Sequence, residues 1–128
     1  WLYVEDHAKA IDLIFHKGKS GETYNVGGNC EMTNLEIINT INTLLNPTGR
    51  VPELNTVIEF VTDRAGHDMR YAIDTTKIKT ELGWEPEETF TTGMHKTIMW
   101  YLTNKEWMEH VTSGEYKNWL DTNYKDRK

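Results

Sequence analysis

The sequence predicts an α/β fold in which short strands alternate with amphipathic helices and a helical tail follows. Three short runs rich in β-branched and aromatic residues, at 1–4, 22–26 and 57–61, are typical of strands. Between them, apolar residues recur at helical spacing, and glycine or proline stands where each pattern ends. Three strands are few for a doubly wound sheet, so the sequence also predicts a sheet whose other strands are missing from this chain.

Composition limits the class of protein. The 128 residues suffice for about one domain, and 38% hydrophobic with 11% aromatic residues supports a packed core rather than disorder. A net charge of −6 without a basic cluster argues against a nucleic-acid partner. No apolar run approaches the roughly 20 residues that span a bilayer, so we expect no membrane partner. Cys30 is the single cysteine, which excludes an internal disulfide and fits a soluble, cytoplasmic protein.

The first predicted element is the strand at 1–4, and the chain opens directly on it without a methionine, as a fragment would. Asp6 follows as the expected N-cap of a helix that ends at Gly18. The face of this helix expected to be buried comprises Ala10, Ile11, Ile14 and Phe15.

The second strand, at 22–26, ends on Gly27 and Gly28, where the backbone can turn sharply or approach a ligand closely. Thr33 and Glu36 have the spacing of a capping box and predict the start of a second helix. Its expected buried stripe comprises Ile37, Ile38, Ile41, Leu44 and Leu45. The segment 46–49 contains proline and glycine and ends it.

The remaining elements follow the strand at 57–61, which closes on a polar turn at 62–67. Residues 74–77 predict the cap of a short helix that ends at Gly83. From Thr89 onward the pattern is helical as far as Trp119.

The densest polar cluster is the turn from Asp63 to His67. Arg64 presents a planar fork of donors suited to phosphate oxygens, and His67 can add another donor. Asp63 would hold Arg64, and Gly66 would let a ligand approach the backbone. The same residues could equally form a solvated turn with local ion pairs, and composition alone does not decide between the two.

Asn34 stands at the start of the second predicted helix, where unpaired backbone amides favour an anion. Its side chain could face a ligand or cap the helix. Spacing alone favours capping, because asparagine is common at helix starts.

Other patterns in the sequence are weaker evidence of function. The glycines at 18–21 and 27–28 do not match a phosphate-binding fingerprint that opens a helix after a strand. Tyr101 and Lys105 have the spacing of a dehydrogenase catalytic pair, but no dinucleotide fold precedes them and Tyr101 continues an aromatic stripe from Trp100. Asp6 and His7 lack an activated nucleophile. The remaining histidines are isolated in sequence, so we expect no metal site.

Seven stretches carry a family resemblance that covers nearly the whole chain. They are WLYVEDHA at 1–8, GETYNVGG at 21–28, DRAGHD at 63–68, RYAID at 70–74, ELGW at 81–84, TIMWYL at 97–102 and SGEY at 113–116. Together they resemble the C-terminal part of the dTDP-glucose 4,6-dehydratases, which are extended short-chain dehydrogenases/reductases. The first two stretches are shared broadly among nucleotide-sugar enzymes, whereas the turn at 63–68 and the Trp-rich tail are more specific.

The resemblance implies an NAD-dependent lyase. In that family an N-terminal Rossmann domain retains NAD and carries a Tyr-x-x-x-Lys pair, a Thr and an Asp-Glu pair. Oxidation at sugar C4, loss of water across C5 and C6, and return of the hydride at C6 give a 4-keto-6-deoxy sugar nucleotide. Residues 1–128 would then be the C-terminal part that binds the dTDP-sugar, with no catalytic, NAD-binding or metal-binding residue and no activity alone. The longer parent would be a homodimer.

Matching positions supply the expected binding residues. The resemblance places Asn34 near the nucleotide diphosphate and makes the substrate-contacting turn from Asp63, Arg64, Ala65, Gly66 and His67, with Arg64 and His67 as phosphate partners. The sequence departs from the family at Ala65, often proline, and at Met69, often arginine. Without proline the backbone of the turn is less restricted to one conformation, and without arginine at position 69 Arg70 lacks that neighbouring charge. Neither change removes an expected ligand.

Two alternatives stay open. The chain could belong to a related nucleotide-sugar epimerase or decarboxylase, which would differ in catalytic residues that are not in this sequence. It could also be a nucleotide-sugar binding module without chemistry. A glycine-rich dinucleotide fingerprint and an Asp-Glu pair in a longer parent would favour the dehydratase.

Overall fold

The helices of this chain are defined by a computed structural model that describes residues 1–49, 58–60 and 70–114. Helix α1 spans Val4–Lys17, α2 spans Asn34–Leu45, and a short 3₁₀ turn follows at Asn46–Thr48. Helix α3 spans Thr76–Leu82, α4 spans Phe90–Thr103 and α5 spans Lys105–Thr112. No helix in these ranges is long and apolar enough to cross a membrane.

The three predicted strands are not found in the described ranges. Residues 1–3 and 22–26 have no regular structure, and Val4 already belongs to α1. Of the third predicted strand, only 58–60 is described, and it too is irregular. A strand exists only where a neighbouring strand supplies a ladder of hydrogen bonds, and none is present among these residues. The strands therefore stay predictions.

The chain divides into two compact units, Trp1–His95 and Lys96–Lys128. In the first unit, α1 packs against α3, and the core is formed by Ala10, Ile78 and Trp84. Partly buried side chains complete this core: Leu2, Leu13, Ile14, Tyr24, Val26 and Leu82.

The prediction of Asp6 as an N-cap is wrong. Helix α1 begins at Val4 with Tyr3 as its N-cap, so Asp6 lies inside the first turn. Its side chain is only 1% exposed, and its Oδ2 accepts a hydrogen bond from the backbone N–H of Glu88 at 2.9 Å. A buried carboxylate needs such a donor, so Asp6 fastens the segment before α4 to the start of α1.

The predicted buried face of α1 is correct for Ala10 and Ile14 but not for Ile11 and Phe15, which are 56% and 83% exposed. Leu13 joins the core instead. Successive helical residues are about 100° apart, so a core that Ala10 and Ile14 face directly leaves Ile11 and Phe15 turned away from it.

Helix α2 begins as predicted with a capping box. Thr33 Oγ1 accepts from the backbone N–H of Glu36 at 3.3 Å, and Glu36 Oε2 accepts from the backbone N–H of Thr33 at 2.7 Å. The helix ends at Leu45, and Gly49 closes the following turn with a φ of 65°. Of the expected stripe, Ile37 is buried, Ile38 is exposed, and Ile41, Leu44 and Leu45 are half-buried.

Helix α3 also matches its prediction. Asp74 Oδ1 accepts from the backbone N–H of Thr76 at 2.8 Å, and hydrogen bonds from Thr76 hold the pKa of Asp74 below its ordinary value. The helix ends at Gly83, whose φ of 70° is a left-handed conformation that glycine adopts without strain.

The helix predicted from Thr89 onward is interrupted at Asn104, which separates α4 from α5. The Asn104 side chain donates to the carbonyl of Trp100 at 2.8 Å and so satisfies an acceptor at the end of α4. In the second unit the rings of Trp100, Tyr101 and Trp107 contact one another, with Trp100 and Trp107 centroids 5.0 Å apart. Trp119 lies outside the described residues.

Candidate functional site

A cleft of about 220 Å³ opens in the first unit between residues 27–31 and residues 71–73, with Trp1 at its side. Both walls precede a helix: the first leads into α2 and the second into α3. The cleft therefore lies beside the start of α2, where the sequence places Asn34.

The glycine pair shapes this cleft by close packing of backbone. A Cβ on Gly28 would lie 1.9 Å from the Trp1 carbonyl oxygen, a distance no side chain tolerates. A Cβ on Gly27 would lie 3.2 Å from Ile73 Cβ. The close contact at these glycines is made to the chain's own atoms, and an approach to a ligand there stays a prediction.

Asn29 anchors the base of the cleft. It adopts a left-handed φ of 48°, and its Oδ1 accepts a hydrogen bond from Oγ1 of the buried Thr75 at 3.0 Å. Asparagine tolerates this conformation better than most residues. The bond ties the loop before α2 to the residue that precedes α3.

A two-pronged ion pair joins the two walls. Arg70 Nη2 donates to Glu31 Oε1 at 2.8 Å, and Arg70 Nε donates to Glu31 Oε2. The hydrogen bonds with Arg70 lower the pKa of Glu31, and those with Glu31 raise the pKa of Arg70. Both groups are thus charged over the physiological range, and the pair links positions 39 residues apart.

Asn34 is the first residue of α2, and its side chain is exposed. The interpretation of Asn34 as the helix cap is wrong, because Thr33 caps the helix. Neither the Asn34 side chain nor the backbone N–H groups of Asn34 and Leu35 bond to any residue in the described part of the chain. Donors of this kind stand at the end of a helix that favours negative charge.

The five turn residues Asp63, Arg64, Ala65, Gly66 and His67 lie outside the described residues. Arg70 is the first described residue after them. Their part in binding stays a prediction.

The Tyr101 and Lys105 spacing does not form a helical pair here. Tyr101 lies in α4 and Lys105 begins α5, with the break at Asn104 between them. The Tyr101 ring instead packs on Trp100 and Trp107. Within 1–49, 58–60 and 70–114, no group of three His, Cys, Asp or Glu side chains is placed to hold a metal ion.

Sequence reasoning missed the pairing of Glu31 with Arg70 and the role of Asp6. Neither pairing leaves a local signal, because the partners are 39 and 82 residues apart in the chain.

Comparison with known proteins defines the class. Residues 1–97 match the sequence model of the family described as GDP-mannose 4,6 dehydratase. The chain belongs to this family.

Within the family, the chain is similar to enzymes named dTDP-glucose 4,6-dehydratase. It is 50% identical over 130 aligned residues to the one from Salmonella typhimurium, covering 99% of this chain and 36% of that protein. It is 48% identical to dTDP-glucose 4,6-dehydratase 1 from Escherichia coli K12, with the same coverage. The chain thus spans about a third of the length of these curated relatives.

Solved structures give the same result for the fold. The dTDP-glucose 4,6-dehydratase from Bacillus anthracis, solved in complex with NAD, superimposes with a TM-score of 0.72 at 50% identity over 84% of this chain and 32% of that one. The enzyme from Streptomyces venezuelae, solved with NAD bound, gives 0.70 at 37% identity, over 84% of this chain and 31% of that one. The fold is therefore that of the corresponding part of these enzymes.

Proposed function

We propose that this chain is the nucleotide-binding part of a dTDP-glucose 4,6-dehydratase, which converts dTDP-glucose to dTDP-4-keto-6-deoxyglucose with loss of water. The observation that carries the proposal is the exposed amide of Asn34 beside two backbone N–H groups at the start of α2 that bond to none of the residues the structure describes. The similarity over 99% of the chain to enzymes of that name supports it.

The start of α2 has the chemistry that a diphosphate requires. The Thr33 and Glu36 capping box holds the first turn in helical geometry and leaves the earlier N–H groups pointing out of the helix. Phosphate oxygens accept from such donors, and the helix dipole adds a favourable field. In this proposal Asn34 donates its side-chain amide to the same diphosphate.

The predicted turn completes the site in this proposal. Arg64 makes a forked contact to phosphate oxygens, His67 donates one more hydrogen bond, and Asp63 orients Arg64. Ala65 and Gly66 let the diphosphate approach the backbone. Binding of the nucleotide holds the sugar in place for reaction. Binding energy from this part of the substrate, away from the reacting atoms, contributes to catalysis by positioning the sugar.

NAD supplies the hydride acceptor and donor in this reaction, but the glycines in the described part of this chain do not form a site for it. The glycines at 18–21 follow α1 rather than open a helix, and Gly28 meets the Trp1 backbone. We assign neither a catalytic nor an NAD-binding residue to this sequence. The active protein in this proposal is longer, cytoplasmic and homodimeric, and holds NAD elsewhere.

The test uses the protein in the length in which its own cells make it, together with the 128-residue chain. The longer protein should form the 4-keto product from dTDP-glucose, whereas the 128-residue chain should bind dTDP without turnover. Turnover by the 128-residue chain, or failure of both proteins to bind dTDP, would contradict the proposal. Tighter binding of GDP than of dTDP would instead favour a GDP-sugar enzyme, as the family description suggests.

A further inference from the structure

The ion pair of Glu31 and Arg70 lies close to the start of α2. The start of α2 is the part of the candidate nucleotide site that the structure describes. Glu31 stands two residues before the capping residue Thr33 and three before Asn34. Because only two residues separate Glu31 from Asn34, a restraint on Glu31 also limits where the start of α2 can lie.

Arg70 supplies that restraint from the position directly before the opposite wall of the cleft. It begins the segment that runs through Tyr71 to Ile73 along the cleft and on to α3. Two parallel N–H···O bonds fix the direction as well as the distance between the partners, which a single contact does not do.

We propose that the ion pair of Glu31 and Arg70 is a positioning device for the nucleotide, holding the start of α2, and with it Asn34, in register with the segment that begins at Arg70. This inference rests on the proposed function, because it assigns the pair a role in binding dTDP. In this proposal neither Glu31 nor Arg70 contacts the nucleotide.

The geometry separates this pair from the other ion pairs of the chain. The lysine pairs, such as Lys77 with Glu22 and Lys79 with Glu85, use a point charge on a flexible stem. Among the ion pairs seen in the described ranges, Arg70 with Glu31 alone uses a planar fork. A bidentate pair between arginine and a carboxylate holds its partners in one relative orientation, so this pair can fix the two segments relative to each other.

The same geometry argues against Arg70 as a direct phosphate ligand. The Glu31 carboxylate engages both Nε and Nη2, and it neutralises the guanidinium charge. An arginine committed in this way offers a dianionic ligand little attraction.

The test measures dTDP affinity by titration calorimetry for the wild type, Glu31→Gln, Arg70→Gln and the exchanged double variant Glu31→Arg/Arg70→Glu. Positioning predicts that both single variants weaken binding to a similar extent, by about five- to twentyfold, the size expected for loss of one coupled contact. It also predicts that the exchanged double variant binds dTDP with an affinity within about threefold of that of the wild type.

Two results would overturn the inference while leaving the proposed function intact. One is equal affinity of all four proteins. The other is a loss of dTDP affinity only in the variants that lack Arg70, with no recovery in the exchanged double variant. A residue that binds phosphate directly would give that result. Absence of dTDP binding by the wild type would instead remove the proposed function, and this inference with it.

Glu22→Gln is the matched control, since Glu22 also bridges two segments through an exposed pair, with Lys77. Its dTDP affinity should stay within twofold of the wild type. Far-UV circular dichroism checks the fold of each variant, and Glu31→Asp serves as a second, milder variant. Aspartate keeps the charge but not the reach, so positioning predicts weakened binding for it too.

Discussion

The buried carboxylate of Asp6 accepts a hydrogen bond from the backbone N–H of Glu88, 82 residues later in the chain. The bond joins the first turn of α1 to the segment that leads into α4. Asp6 is only 1% exposed, so its carboxylate has little access to water and depends on this donor.

Asp6→Ala should therefore lower the free energy of unfolding by about 1–3 kcal/mol, the cost of losing a partly buried hydrogen bond to a carboxylate. Urea denaturation followed by circular dichroism measures the change. Asp12→Ala is the control: Asp12 lies on the same helix in an exposed pair with His16, and its replacement should change stability by less than about 0.5 kcal/mol. Equal effects of the two substitutions would contradict the anchoring role of Asp6.

The capping box gives α2 a pH dependence with a definite sign. Hydrogen bonds from the Thr33 backbone and then from its hydroxyl hold the pKa of Glu36 below its ordinary value. The stabilisation is therefore complete above the unfolded-state pKa of about 4.3 and is lost as the pH falls through the lower folded-state pKa.

Glu36→Gln should remove this dependence. The free energies of unfolding of the wild type and of Glu36→Gln, measured from pH 7 to pH 3, should differ most near neutrality and converge in acid. A difference that stayed constant across this range would show that the Glu36 carboxylate does not titrate with folding.

Asn34→Ala should weaken dTDP binding without destabilising α2, since Thr33 rather than Asn34 caps the helix. We expect a loss of about ten- to a hundredfold in affinity, corresponding to one hydrogen bond to a charged group. Thr33→Ala should instead act mainly on stability, lowering the free energy of unfolding by about 1 kcal/mol. Calorimetry and urea denaturation of both variants separate the two roles, and unchanged dTDP affinity in Asn34→Ala would remove Asn34 from the site.

Arg64→Ala should weaken dTDP binding by about ten- to a hundredfold, because a charge-assisted contact to phosphate contributes roughly 1.5–3 kcal/mol. Arg64→Lys should recover only part of this loss, since a point charge cannot make the forked contact. In the longer protein the loss should fall on substrate binding far more than on the chemical step. Equal dissociation constants for dTDP in the wild type and Arg64→Ala would mean that the turn is a solvated surface turn.

Local chemistry explains which features of this chain could be predicted. The capping box of Thr33 and Glu36 and the helix end at Gly83 each depend on residues within one turn of one another. The resemblance that identified the family also rests on short contiguous motifs, and the match over residues 1–97 confirms it. The turn from Asp63 to His67 stays a prediction from the same kind of motif.

Tertiary structure decided what depends on distant partners. The role of Asp6 required Glu88, and the pairing of Glu31 required Arg70, and neither partner is implied by the residues nearby. The buried face of α1 was set by the position of α3, because a helix with apolar residues on two sides can turn either one inward. By itself the sequence determined the start of α2, the end of α3 and which family the chain resembles. Only the packed chain determined which side chains meet, because burial and pairing depend on neighbours that sequence order does not bring together.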